Sequence, residues 1–312
     1  GGGGSATGGG SATGGGSATG GGSATGGGSA TGGGSATGGG SATGGGSATG
    51  GGSATGGGSG SGDGGAVLPD GGTLPTFSFF VTSYAALQIL SNNTQGFGGD
   101  LRFGETGLGA GLRGADRICA AIAERSMPGA SVKQWRAFLS ADQGEDGGVV
   151  NARDRIGSGP WYDRNGRLFA ANLTDALSDS MHQFRPIGCN PTICNDLPNE
   201  DGVLNHAPNG QLVDNHDMLT GTNNLGLRYT SGSASFNCLS WTTNSTNVAM
   251  TGKPRVGHSW PAMSGTSWMN ALTESGCGAG VNLLEQGGPK PDAGTVGSGG
   301  GYGGFYCFAL TP

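Results

Sequence analysis

From Gly2 to Thr55 the hexapeptide Gly-Gly-Gly-Ser-Ala-Thr repeats nine times without a substitution, then decays into Ser-Gly-Ser-Gly-Asp-Gly-Gly. No other feature limits the fold as strongly, because it removes residues 1–65 from any hydrophobic core. Each unit offers little more than an alanine and a threonine methyl, whereas ordering a residue costs about 1–2 kcal/mol of backbone entropy. The expectation is therefore a disordered, low-complexity tether over 1–65, with a regular stacked glycine-rich structure as the alternative. As a coil of about 60 residues it would span roughly 40–45 Å root-mean-square. The tether holds 35 of the 73 glycines and no charge except Asp63. All six cysteines and all five tryptophans fall in residues 66–312, which read as one globular domain large enough to bury a substantial core.

The balance of charge narrows the function. The net charge of −6, with 15 basic residues and no basic run, argues against a nucleic-acid footprint. No apolar run is long enough to form a transmembrane segment. The first residues carry neither the charged nor the apolar region of a signal peptide. A long uncharged tether makes sense with one end fixed, so the expectation is surface attachment, through a lipid at a lost N-terminus.

The cysteines lie at 119, 189, 194, 238, 277 and 307. An even count in so polar a chain favours disulfides and an extracellular or cell-surface location. Zinc is the competing reading, weakened because Cys189 and Cys194 have four residues between them and no second close pair. Cys189 and Cys194 could close a local loop around Pro191. Spacing alone leaves the other pairings open.

Periodicity marks several elements. Phe77–Tyr84, aromatic and β-branched, predicts a strand. Ala115, Ile118, Cys119 and Ile122 fall at i, i+3, i+4 and i+7, an amphipathic helix over Leu112–Arg125 that Met127-Pro128-Gly129 ends. Gln134–Ser140 predicts a strand, and Trp161–Phe169 a hairpin turning at Asn165-Gly166. Residues of about 178–230, crowded with Asn, Asp, Pro, Gly and His, predict one long irregular loop. Short strands are expected at Phe236–Trp241 and Gly257–Trp260, and a terminal one at Gly301–Leu310.

Gly111-Leu-Arg-Gly-Ala-Asp-Arg-Ile-Cys119 followed by Trp135-Arg-Ala-Phe-Leu-Ser140 resembles the opening of the endostatin domain of basement-membrane collagens. Asn151-Ala-Arg-Asp-Arg-Ile156, Gly166-Arg-Leu-Phe169 and the ending Tyr306-Cys307-Phe308 are similar to its later segments. The resemblance covers about 100–310 in outline and is strongest in its first 60 residues or so. It implies an α+β, C-type lectin-like fold in which the first helix is tied to the last strand. Carried onto this chain, that pairing is Cys119–Cys307, with Cys238–Cys277 as the second bond and Cys189–Cys194 as an extra pair inside the long loop. The heparin binding of endostatin would use clustered arginines, here Arg113, Arg117, Arg125 and Arg136, although an acidic chain does not favour an anionic polysaccharide.

Sugar-binding members of that fold hold calcium in the long loop. Here Leu197-Pro-Asn-Glu200 and Ala207-Pro-Asn209 lack the acidic or amide residue before proline, and Trp241-Thr-Thr-Asn244 stands where Trp-Asn-Asp is expected. Asn199, Glu200, Asp201, Asp214 and Asp217 are the candidate calcium ligands, against their ordinary use in turns. Histidines 182, 206, 216 and 258 lack the spacing of a zinc motif, and none precedes His182, so the endostatin zinc site does not carry over. Gly-x-Ser-x-Gly occurs only as a fragment at Gly157-Ser-Gly159, and the glycines of 299–304 precede no helix and no lysine, so no enzyme is expected. Trp135 and Trp241 suit a core, whereas Trp260 and Trp268, flanking a Gly/Ser/Pro-rich turn, are the candidate sugar-stacking residues. The expected function is an extracytoplasmic binding or adhesion module for a glycan or matrix polymer. A self-associating structural surface protein is the second reading, and a metal-dependent hydrolase the third.

Overall fold

The apolar run at Phe77 enters the structure, a computed structural model, as strand β1 (Phe79–Val81). The structure describes residues 74–178, 196–204, 216–260, 267–283 and 293–311, together with Ala-Thr dipeptides of the repeat. The chain divides into two units, Gly1–Asp63 and Gly64–Pro312. The expected strand stops short of Tyr84 because Ser83 caps a helix, accepting a hydrogen bond from the Ala86 amide at 3.1 Å. That helix, α1 (Tyr84–Ser91), ends at Asn92 in the left-handed conformation, φ 51°.

The second helix, α2 (Ala110–Ser126), carries the periodic stripe and buries Ala115, Ile118, Cys119 and Ile122. It also lies against backbone. A Cβ at Gly111 would sit 2.2 Å from the Ser240 carbonyl oxygen, and one at Gly114 would sit 2.1 Å from those of Leu101 and Arg102. Only glycine permits that approach. Strand β2 (Trp135–Ala137) follows. A hairpin of β3 (Trp161–Tyr162) and β4 (Leu168–Ala170) then turns where Gly166, at φ 72°, takes the left-handed conformation. Helix α3 (Leu173–Leu177) is capped by Asn172.

The long irregular loop needs correction. Within it Asp217–Leu219 form strand β5 of the main sheet. Three residues, one of them charged, are too few to show a period of two, so neighbours rather than local pattern make this strand. The expected strand at Phe236–Trp241 is likewise absent. Cys238–Trp241 instead form one left-handed turn, φ 49–64°. Such a turn costs roughly 1–2 kcal/mol per residue. It is held by Asn237, whose side chain accepts from the Ser240 amide, and by Trp241 Nε1 donating to the Ser140 carbonyl.

Strands β6 (Arg255–His258), β7 (Leu272–Thr273) and β8 (Gly301–Ala309) complete a six-stranded sheet in the order β2-β8-β5-β6-β7, with β1 also on β8. The first half of β8 runs parallel to β5, with Leu219 opposite Phe305. The second half lies between β1 and β2, antiparallel to both. All nine residues of β8 are buried. The domain is thus α+β, built around its last strand. Cys119 of α2 is bonded to Cys307 of β8, and Cys238 to Cys277. Cys189 and Cys194 lie outside the described residues.

Within the repeat, expected as a disordered tether, the described Ala-Thr dipeptides form parallel ladders. Ala6-Thr7 pairs in parallel with Ala24-Thr25 and that with Ala42-Thr43, and two further ladders join dipeptides 18 residues apart. A parallel ladder is held by backbone hydrogen bonds, which alanine and threonine make as well as any residue, and an unbroken repeat stacks like upon like.

Candidate functional site

Arg113 and Arg117 lie one turn apart on α2, and four arginines collect in one cleft. Arg113 and Arg117 project from α2, Arg136 from β2 and Arg155 from the segment after it. With Glu105, Asp116 and Glu145 they line a hollow of about 480 Å³. The side chains are held in a network. Arg113 lies 3.0 Å from Glu105 and 3.3 Å from Glu145, and Arg117 lies 2.9 Å from Glu105. Arg155 donates twice to Asp116, at 2.8 and 2.9 Å, and also to the Ala137 carbonyl. Asp116 accepts from the Ala137 amide as well, so the helix, β2 and the following loop are cross-braced at this carboxylate.

Two carboxyls of the cleft differ in their electrostatics. Hydrogen bonds from Arg113 and Arg117 hold the Glu105 carboxyl below its ordinary value. Burial pushes the Asp116 carboxyl up, against the pull of Arg155 and Arg136. Glu105 is thus a firm anion between two arginines, and Asp116 a more shielded carboxyl beside Arg155. Glu105 and Glu145 carried no signal in the sequence, whereas Asp116 and Arg155 lie in the endostatin-like stretches without a role assigned to them there. Arg125, the remaining arginine of the endostatin-like stretch, lines a separate hollow of about 160 Å³ beside Glu200.

The candidate calcium ligands are not gathered around one point. Asn199 Oδ1 accepts from the Asp201 and Val203 amides at 3.0 and 3.1 Å, which makes a turn. The Glu200 carboxylate accepts from the Ser83 amide at 2.9 Å and from its hydroxyl, fastening the start of α1. Burial pushes that carboxyl up. Asp201 is exposed, and Asp214 lies outside the described residues. Asp217 is far more deeply placed. Wholly buried on β5, it faces His216 and His258, whose Nε2 atoms lie 3.8 and 2.9 Å from its Oδ1. Glu274 is buried beside it, its carboxyl pushed well above the ordinary range by burial and by the charge of Asp217. Among the described residues, His216, Asp217 and His258 are the one trio of His, Cys, Asp or Glu whose ligand atoms lie within 4.8 Å of one another. His182 and His206 fall outside the described residues.

The two tryptophans proposed for stacking differ. Trp260 is half-buried just past β6. Trp268 is a correction: wholly buried, it packs 4.7 Å from Phe138 and 5.1 Å from Tyr306 between ring centroids, and its Nε1 donates to the Ala176 carbonyl. Flanking small residues suggested exposure, but packing against β8 and α3 claims the ring. No protein-family model and no curated protein sequence matches the chain.

Proposed function

We propose that residues 66–312 are an extracytoplasmic binding module of the C-type lectin-like, endostatin-like fold, acting at the cell surface on a hydroxyl-dense polymer, a glycan. The observation that carries the reading is the arginine–carboxylate cleft, of the size and concavity usual for ligand sites. A sugar hydroxyl both donates and accepts, and a fixed lattice of guanidinium donors and carboxylate acceptors complements a row of them. Four arginines against three carboxylates leave a small positive excess in an acidic chain. A neutral or sparsely carboxylated polymer fits that balance better than a densely sulfated one, which would have to compete with every internal ion pair. Two buried disulfides accord with an oxidising compartment.

The test is a glycan array followed by titration calorimetry on the full chain. Arg117 and Arg136 are 57% and 36% exposed, so alanine there spares the fold. Each substitution is expected to weaken binding about tenfold, the loss of one charge-assisted contact. Undiminished binding in both variants overturns the assignment to this cleft.

The self-associating reading is favoured by a different observation, the ladders of the repeat. Among the described residues, Ala6-Thr7 and Ala42-Thr43 are the outermost strands of one ladder, and an edge strand is where another copy can add. Sedimentation at rising protein concentration, without glycan, separates the two readings.

A further inference from the structure

Asp217 is the least ordinary residue in the core. It is a wholly buried carboxylate in the middle of a sheet, and among the described residues neither of its oxygens accepts a hydrogen bond from a backbone amide or a hydroxyl. Buried carboxylates normally collect such donors or a compensating cation. What surrounds this one is a set of metal-binding groups. The antiparallel register of β5 and β6 sets Asp217 directly opposite His258, so the two side chains share a face of the sheet. His216 immediately precedes Asp217, just outside the strand, where the regular alternation of faces no longer applies. Its imidazole shares the space, with the two rings nearly perpendicular at 4.2 Å between centroids.

We propose that His216, Asp217 and His258 bind a divalent transition-metal ion of the zinc class. The distances suit the ion. Zinc bonds of 2.0–2.2 Å in a tetrahedron separate neighbouring ligand atoms by about 3.3–3.6 Å. The two imidazole Nε2 atoms lie 2.9 and 3.8 Å from the same Asp217 oxygen, bracketing that range. Two imidazoles and one carboxylate are borderline ligands that favour zinc over calcium or magnesium, which require oxygen sets.

A second, independent feature points to the same place. Glu274, also wholly buried, is anchored through Oε2, which accepts from the Ser298 hydroxyl at 2.5 Å and the Gly299 amide at 2.7 Å. Its Oε1 accepts no hydrogen bond among the described residues. That atom and Asp217 Oδ2 border the same space over Gly299, where an added Cβ would lie 3.0 and 2.7 Å from them. Glu274 thus places a second buried carboxyl beside the ligand carboxylate, in the shell where groups that tune metal-bound side chains sit. The three ligands among the described residues leave the fourth position of the ion for a further donor, such as water.

The experiment uses the full chain, stripped with a chelator and titrated with zinc against a competing indicator dye, with metal content then measured by mass spectrometry. One zinc per chain is expected, with a rise in the thermal midpoint because the ion binds only the folded state. Cobalt in its place gives the visible absorption of a low-symmetry four-coordinate site. His258→Ala and Asp217→Asn abolish stoichiometric uptake, and Glu274→Gln weakens it about 10- to 100-fold. A wild-type chain that takes up no zinc, or that keeps its zinc in Asp217→Asn, overturns the proposal. Should His258→Ala fail to fold, the wild-type titration and Asp217→Asn still decide it.

Discussion

Replacing Cys119 and Cys307 together by alanine removes the bond between α2 and β8, and the structure sets the scale of the loss. The bond spans 188 residues of sequence. In the chain-entropy account, opening a loop of that length frees about 5 kcal/mol of entropy in the unfolded chain. The Cys238–Cys277 bond spans 39 residues, for which the same relation yields about 4 kcal/mol. All four cysteines are wholly buried, so either replacement also trims two core side chains, and the short bond holds a left-handed turn in place. Against a typical domain stability of about 5–15 kcal/mol, either loss is a large fraction. The assay is equilibrium unfolding in urea, followed by tryptophan fluorescence, since Trp135, Trp161, Trp241 and Trp268 are all buried. The C119A/C307A variant is expected to lose more stability than C238A/C277A and to show the steeper denaturant dependence, because its unfolded chain exposes more surface. A C119A/C307A variant within about 1 kcal/mol of the parent, with an unchanged slope, refutes the reasoning and means that packing alone holds β8 on the helix.

Gly114→Ala places a methyl 2.1 Å from two carbonyl oxygens of the preceding backbone. It is expected to cost about 1–3 kcal/mol in thermal unfolding, in spite of alanine's higher helix propensity, and a neutral or stabilising result contradicts the close approach. Lys133 is wholly buried, its Nζ donating to the Pro75 carbonyl at 2.8 Å. Burial pulls its ammonium down from 10.5 to about 8. Between those two values the unfolded chain holds the proton that the folded one has released, so stability rises with pH across that window. Lys133→Met removes this rise, and urea midpoints measured from neutral to alkaline pH check it. A slope that survives in the variant assigns the effect elsewhere.

Local chemistry was legible wherever a few adjacent residues define the geometry. The stripe of α2 follows from apolar side chains at helical spacing, and Asn165-Gly166 demands a tight turn wherever it sits. The terminal strand reads from its own aromatic and glycine content. Of the cleft, the sequence exposed the arginines on one helix face but not Asp116 as the carboxylate that ties Arg155 to them, because 39 residues separate the pair. The same holds for Trp268, whose small neighbours signal a surface while its ring completes the core beneath β8.

What the chain determined by itself was therefore its periodic helix, its turns, its repeat and the residue types available for oxidation and ion pairing. Tertiary structure decided that a charged tripeptide becomes the strand beside β8, and that Asp217 comes to face a histidine across β6 and a glutamate beyond β7. Backbone preference extends over a few residues, while side chains meet through strand pairing and burial, which depend on the free energy of the whole fold.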